Sequence, residues 1–486
     1  MDKRFLERCE TDTLHLSGAI QPHGALLVLD TDGLVSHVSA NAAAFLDAAP
    51  DAWLEKPLPD RFAALMAVVG AEPGSRGVVE AGIETSAGPL DVVVTRGPQG
   101  ALTLEFVPAA SPDDVCAATS VSLADVPSDP DALQAQRQAL VDEIAALTGF
   151  ERVMFYRFWE EGDGEVLAET RRGNAYGSYL GLRFPASDIP RIARALYMKN
   201  PWRLIPDASA EAVPVLGRTV PPDLTWSDLR SVSPVHRIYL ANMGVAASLS
   251  FPVTSGGELV ALVAAHHSRP ARPPLQVMER GAAQVRNHSY AYTFYRSQRR
   301  MRMIDGLTRR FDAVQAMLHR HGELVSAWPE LGEWLCREFQ VDGATLCHGE
   351  KIVAVGAGFE ADALAALDDW FTGSVKDFVW VGDNLSRQVP GYPLSELAGA
   401  VAIRIGQPGS AVGRIYLGRQ EHIYEVTWGG NPDKPVEYHD NDIGIAPRRS
   451  FEKWVERRLG HSCPWDNETL LLALKLRELL LASLHN

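Results

Sequence analysis

The sequence predicts an α+β protein of three domains, each built on a central antiparallel sheet flanked by helices. Three observations carry that expectation. The chain is 486 residues long, enough for roughly three cores of ordinary size. Pairs of short segments that alternate apolar with polar or small residues recur on either side of Gly-containing turns, the mark of antiparallel hairpins. Between about Pro274 and His319, almost nothing breaks a helix except Gly281 and Gly306. Such a helix extends roughly 65–70 Å at the standard rise per residue. That exceeds the width of one domain, so it reads as a spine joining two.

Composition narrows the class. A hydrophobic share of 46% and a charged share of 22% are those of a soluble globular protein. The net charge of -15 argues against a grip on a phosphate backbone, which needs a basic face, so no nucleic-acid partner is expected. The opening stretch MDKRFLERCETD is charged where a secretion signal is apolar, and no apolar run is long enough to cross a bilayer. A cytoplasmic location without a membrane partner is therefore expected. The five cysteines (Cys9, Cys116, Cys336, Cys347 and Cys463) are odd in number, scattered and without a CxxC pair, which suits neither a disulfide framework nor a zinc site. Cys9 stands apart, because its segment is polar and offers little core to bury it. A tolerated free thiol and a reactive one both fit that setting.

In chain order, ALLVLD and LVSHVS form a hairpin around Thr31-Asp32-Gly33, and LDVVVTR and ALTLEFVP form another around Gly97-Pro98-Gln99-Gly100. These belong to a first domain of residues 1–110, followed by a polar, Pro-rich linker from Pro108 to Asp131. The second domain, 131–305, opens on the helix DALQAQRQALVDEIAALTG. The strands RVMFYRFWE and GEVLAETRR follow, and later a hairpin folds VAASLSFPV onto ELVALVAAHH around Ser255-Gly256-Gly257. The third domain, 306–486, has strands in GATLCHGEKIVAVG and FVWVGDNL and a hairpin in GAVAIRIGQPGSAVGRIYLGR. An excursion of about 421–455 comes next, strand-like at both ends and rich in Gly, Pro and Asp between. A connection of that length is rarely idle. The closing stretch, NETLLLALKLRELLLASLHN, is a helix whose Leu-rich face calls for a partner, either another copy or a downstream domain.

One turn is stiffened beyond ordinary need. In FPASDIPRIARALYMKN, Phe184 to Asn200, two prolines bracket Ser187 and Asp188 ahead of a short amphipathic helix. Pro190 suits a first helical turn and Asp188 is a natural cap, yet one cap does not require two prolines. Other residues invite the same attention. His236 and Tyr239 share the segment SPVHRIYLANMGV downstream of Arg230; His266 and His267 end an apolar strand; Tyr156 sits on an early strand and Arg203 follows the short helix. Taken singly, each has an ordinary explanation as a core histidine, a surface arginine or a packing tyrosine. No GxSxG, Walker loop or HExxH is present.

Taken together, Cys9 followed by IQPHG, then PASDIP, SPVHRIYLANMGV, AAHH, WGGNP and PRRSF have the order and approximate spacing of the bacteriophytochromes. The whole chain resembles the PAS-GAF-PHY photosensory module of that family of red/far-red photoreceptors. The resemblance implies a PAS domain at 1–110, a GAF domain at 131–305, and a PHY domain at 306–486 with a tongue at about 421–455. It also implies an N-terminal segment knotted through the GAF domain, the stretch around Ile20 being threaded by a GAF loop. In such a module the backbone carbonyl of Asp188, held in place by the two prolines, faces the pyrrole N–H groups of a bilin and leaves the side chain to pair elsewhere, and Ile189 and Pro190 belong to the binding set. Arg203 and Arg230 serve the two propionates, with Ser233, Ser248 and Ser250 completing the binding set. His236 shares an ordered water with the inner pyrroles, and His266 donates to the D-ring carbonyl. Tyr156, Phe184 and Tyr239 wall the D ring, while His267 faces outward on its strand.

Plant-type relatives attach their pigment through a Cys immediately before the histidine of the SPVH motif. Here that position is Val235, so the resemblance implies a thioether from Cys9 to biliverdin IXα rather than to a more reduced bilin. It further implies an Arg448–Asp188 ion pair in the red-absorbing state. D-ring rotation breaks that pair and offers Ser450 to Asp188 instead. The implied partners are a second copy, in a parallel dimer along the spine and the terminal helix, and a downstream output domain or response regulator. No kinase, cyclase or phosphodiesterase signature follows the third domain, so the chain reads as a non-enzymatic sensory module truncated from a longer signalling protein. Two alternatives remain. A GAF-regulated signalling enzyme needs a catalytic metal cluster, and a scaffold sensing a small ligand without pigment should have lost Cys9, His236 or Asp188.

Overall fold

The computed structural model describes residues 13–110, 124–160, 162–173, 177–406, 413–432 and 451–484. Cys9, Cys116, Arg448 and Ser450 lie outside the described residues, as do most of the 108–131 linker and the centre of the 421–455 excursion. The chain forms two compact units, Met1–Tyr295 with Thr427–Trp454, and Arg296–Val426 with Val455–Asn486.

The first unit holds two sheets. One has seven strands in the order Ala19–Ile20, Val213–Gly217, Val35–Ser39, Ala25–Leu29, Leu102–Pro108, Gly88–Arg96 and Arg76–Thr85. Leu27, Leu29, Val92, Val94, Leu104 and Phe106 point to one side and are sealed by Leu46, Trp53 and Phe62 from short helices. The strand Val213–Gly217 arrives from far downstream and pairs antiparallel with Val35–Ser39 and with Ala19–Ile20. Ile20 also bridges to Arg230, so the 213–230 stretch flanks it on two sides. It is completely buried there among Leu26, Leu224 and Leu229. This is the place where a threaded N-terminus is expected, and the residues before Thr13 lie outside the described ones.

The second sheet runs Arg203–Ile205, Ala247–Ser255, Glu258–His267, Arg152–Phe158, Gly164–Arg171 and Arg183–Phe184, and Trp428 pairs in parallel with Arg183. The helix Pro130–Thr148 covers one face. Asp129 caps it by accepting from the Ala132 N–H at 2.8 Å, and Gly149 ends it in the left-handed conformation. The long helix is continuous from Leu275 to His321, 47 residues. Its start covers the same sheet face, where a Cβ on Gly281 would stand 2.8 Å from the Phe251 ring.

The second unit is a five-stranded sheet, ordered Lys351–Gly356, Gly343–His348, Arg414–Gln420, Leu397–Arg404 and Val379–Gly382. The helix Ala361–Ser374 packs on one face through Leu364, Leu367 and Phe371. Cys347 lies in that layer, and burial pushes its thiol up to about 11, a structural and unreactive setting. The terminal helix Asn467–Leu484 corrects the sequence expectation. Its Leu472, Ala473, Leu476, Leu479 and Leu480 are buried in the core of its own unit with Trp328, Leu331 and Leu335, so the Leu-rich face is largely satisfied within the chain. On the long helix, by contrast, Tyr290, Phe294, Met301 and Ile304 are exposed. Among the described residues, no helix is long and apolar enough to cross a membrane.

Candidate functional site

In an antiparallel sheet, residues directly opposite one another share a face. In the second sheet, Arg203 stands opposite Ser250, Ser250 opposite Ala264, and Ala264 opposite Met154. One step along, Ser248 stands opposite His266 and His266 opposite Arg152; beyond them, Leu262 faces Tyr156. The intervening residues, Leu204, Leu249, Ala265, Val153 and Phe155, belong to the core beneath the helices. The sheet thus turns an apolar face to its helices and a face of Arg, Ser, His and Tyr to the other side. His267 falls on the core side. It does not face outward as expected but packs edge-on to Phe150, 5.9 Å between ring centres, with Nε2 3.9 Å from Glu151.

The Asp188 turn lies over the polar face. Ala186–Asp188 form one 3-10 turn, and the helix Arg191–Tyr197 follows. Pro190, not Asp188, is the N-cap: its backbone is extended (φ -64°, ψ 159°) and no side chain caps the helix. Asp188 is thereby placed two residues outside the helix, and its carboxylate turns away to accept from the Tyr239 hydroxyl at 3.0 Å. Arg194 supplies further stiffness, donating from Nε to the Ile189 carbonyl at 2.8 Å and from Nη2 to the Ala186 carbonyl at 3.3 Å. Ser233 is the N-cap of the helix Pro234–Asn242, which carries His236 and Tyr239, and it makes no side-chain cap bond.

An aromatic wall closes one end. Tyr156 lies 5.9 Å from Phe184 and 5.4 Å from Phe158, and Tyr179 lies 5.8 Å from Phe184, between ring centres. Met154, Val166, Leu182 and Leu262 pack in the same cluster. Glycines make room for these rings. A Cβ on Gly429 would meet Phe184 at 2.6 Å, and one on Gly164 would meet Tyr156 at 1.9 Å. Tyr239 stacks on His236 at 5.9 Å with an interplanar angle of 13°. Tyr239 also meets Phe451 in a T-shaped contact, 5.2 Å between ring centres.

The electrostatics are unusual. Burial, reinforced by Arg203, lowers the His236 pKa to about 4; burial, reinforced by Arg152 and His236, lowers that of His266 to about 3. Both imidazoles are therefore neutral near pH 7. Among the described residues, the buried Nδ1 of His266 has no hydrogen-bond partner. Arg152 is held by Glu169 at 3.2 Å and lies 4.0 Å over the Tyr179 ring. Arg203 donates to the carbonyls of Asp228 (3.2 Å), Arg230 (2.6 Å) and Ser231 (3.0 Å), and Arg230 to that of Leu224 (3.2 Å). Neither arginine forms an ion pair among the described residues. Burial lowers both, Arg230 to about 9 with Arg203 as the second cause.

Of the sequence candidates, Tyr156, Phe184, Asp188, Ile189, Tyr239 and the neighbouring His236 are linked by these contacts, and Arg203, Ser248, Ser250 and His266 share the sheet face. Four further residues belong with them. Tyr179 and Phe451 extend the aromatic set, Arg152 faces His266, and the buried Tyr197 hydroxyl, raised by burial, is bonded to Ser250. Tyr197 closes the helix after the Asp188 turn and Phe451 ends the PRRSF motif; position in those motifs was their only sequence signal. The donor set fits a bilin on two observations: an orphaned buried imidazole nitrogen suits a polar ligand atom, and two buried guanidinium groups without counter-ions suit a pair of carboxylates.

Comparisons with known proteins agree in architecture. A PAS fold model matches residues 9–109, a GAF domain model residues 132–287, and the Phytochrome region model residues 308–486. A bacteriophytochrome of Pseudomonas aeruginosa is 33% identical across 97% of this chain and 66% of its own length. Cyanobacterial phytochrome A of a Nostoc species is 30% identical across 96% and 63%. The chain thus spans about two thirds of the length of these relatives. Among solved structures, the photosensory core module of a Stigmatella aurantiaca phytochrome matches with a TM-score of 0.80 and 30% identity, over 98% of both chains. A bacteriophytochrome from R. palustris matches at 0.79 and 26% identity over 99% of both. With three domain models in this order and a solved relative alike from end to end, the chain belongs to the phytochrome family.

Proposed function

We propose that this chain is the light-sensing module of a red/far-red photoreceptor, and that biliverdin IXα, joined through Cys9, lies on the polar face of the second sheet. The observation that carries the reading is that two buried histidines held neutral, His266 on the sheet face and His236 on the neighbouring helix, occur with two buried arginines, Arg203 on that face and Arg230 in the loop held by it, that form no ion pair among the described residues. Bound there, a bilin supplies absorption of red light and a double bond able to isomerise. The chain's own residues do the rest. Arg203 and Arg230 are placed for propionates, while His236 and His266 offer hydrogen bonds without adding charge. Tyr156, Phe184 and Tyr179 exclude water from one end. An output domain or a response regulator is the partner read as receiving the signal.

Two experiments test this. Mixing with biliverdin should give a red-absorbing, light-responsive product whose pigment stays on the denatured protein and fluoresces with zinc on a gel. Cys9→Ser should lose that label entirely; persistent labelling overturns the attachment site. The second concerns the tongue. Phe451 packs against Tyr239, whose hydroxyl is bonded to Asp188, so the tongue is read as latched to the pocket through Asp188 and Arg448. A guanidinium fork on a shielded carboxylate has the strength and geometry for it. Arg448→Ala should keep attachment but lower the yield or lifetime of the far-red state. A photocycle like the parent's, with the same light-dependent hydrogen exchange in the tongue, excludes the latch.

A further inference from the structure

The strand Leu102–Pro108 belongs to the N-terminal sheet, and its Leu104 and Phe106 point into that sheet's core. Glu105, between them, points to the opposite side and is 1% exposed. A buried carboxylate needs partners, and its partners all come from one loop of the pigment-binding region. It accepts from the Ser227 hydroxyl, from the Asp228 N–H at 3.0 Å and from the Leu229 N–H at 2.8 Å. The same loop fixes both propionate arginines. Its Asp228, Arg230 and Ser231 carbonyls hold the Arg203 guanidinium, its Leu224 and Thr225 carbonyls hold that of Arg230, and its Leu229 carbonyl accepts from the Gln21 N–H at 2.7 Å. Asp228 is fastened from the N-terminal sheet a second time, by Arg76 at 2.6 Å.

We propose that Glu105 is a positioning residue that, from the other sheet of the unit, sets where Arg203 and Arg230 stand for the two carboxylates of the pigment. It touches neither arginine through a bond of its own; it acts by clamping the loop whose carbonyls orient them. Glu105 is also a carboxylate in a neighbourhood of Asp228, Arg76, Arg203 and Arg230. Burial and then Asp228 raise its pKa, against the three hydrogen bonds, to about 7. The inference rests on the bilin reading above, and the test separates the two.

Glu105→Gln keeps the size of the side chain but gives the loop an amide –NH2 where it needs an acceptor. The initial rate of holoprotein assembly, at pigment below saturation, is compared for biliverdin and for biliverdin dimethyl ester, which carries no carboxylates. The expected result is a loss of about tenfold with biliverdin, the size of an unsatisfied buried hydrogen-bonding group, and no loss with the ester. Ser227→Ala, which removes one of the three clamps, should show a smaller loss with the same discrimination, and keeps the test open should the first variant fail to fold. Equal losses with both pigments would mean that the loop is merely structural, and no loss with either would mean that the clamp is idle. Both overturn the proposal. A parent protein that takes up neither pigment would overturn the bilin reading itself, and this inference with it.

Discussion

Acidifying the pigment-free protein from pH 7 to pH 4 is expected to remove most of the stability of the unit carrying the pocket. Four of its histidines are held neutral by burial: His236 and His288 with pKa lowered to about 4, His23 and His266 to about 3. Each also faces a cation: Arg272 for His23, Arg203 for His236, Arg152 for His266 and Arg137 for His288. In the unfolded chain the same rings titrate at about 6.5. Below that pH the unfolded state binds protons that the folded state refuses, so stability is fully present above 6.5 and falls as pH drops toward 4. Glu105 works in the opposite sense. Its raised pKa gives stability that is present below about 4.5 and lost as pH rises toward 7. Glu279, raised chiefly by burial, acts in the same sense; two carboxyls oppose four imidazoles, so the histidines decide the sign. Their sum is on the order of 10 kcal/mol at pH 4, comparable with the whole stability of a domain. Urea unfolding followed by tryptophan fluorescence at intervals between pH 4 and pH 7.5 measures the slope, and a midpoint that does not move contradicts the assignment.

Gly164→Ala is expected to be the most disruptive single methyl in the pocket. The added carbon would stand 1.9 Å from the Tyr156 ring and 2.1 Å from its oxygen. The ring has little room to retreat, since Phe158, Phe184, Val166 and Leu262 surround it. Overpacking of this kind costs about 1–3 kcal/mol, and the easiest relief swings Tyr156 out of the aromatic wall. Pigment attachment, proposed above at Cys9, should survive, whereas thermal stability and photoconversion yield should both fall. Adding Tyr156→Val to Gly164→Ala should restore the stability if the collision is the cause. A Gly164→Ala protein that melts and photoconverts like the parent would show that the wall yields freely.

Much of this was legible in residue order alone. The hairpin strands followed from alternation and from the Gly turns, and the helix Pro130–Thr148 was expected within a residue of its start. What stayed hidden depended on distant chain. Val213–Gly217 contains a proline and a glycine and shows no alternation, so nothing in it signals a strand; it becomes one because Val35–Ser39 and Ala19–Ile20 offer hydrogen bonds on either side. The strand Arg76–Thr85 is broken by a bulge between Val79 and Ile83, where Ala81 adopts φ 44° with its N–H bonded to Asp91. The Asp188 carboxylate looked like a helix cap because local sequence cannot show that Tyr239, fifty-one residues on, offers it a better-placed hydroxyl. Glu105 was invisible for the same reason. On a strand it is simply the polar residue of an alternating pair, and only the arrival of Ser227, Asp228 and Leu229 gives it a task.

The strand borrowed from downstream limits how the molecule can be cut apart. An isolated piece ending near residue 110 would lack Val213–Gly217, leaving Val35–Ser39 as a bare sheet edge with its backbone groups open to pairing with any passing strand. It would also lack Leu224 and Leu229, which cover Ile20 and Leu26. The sequence-defined first domain is thus not a separable building block. Grafting this sensor onto another protein, or exchanging its N-terminal part with that of a relative, has to carry the 213–231 stretch along, or the transplanted sheet will find its missing edge in a neighbour and aggregate.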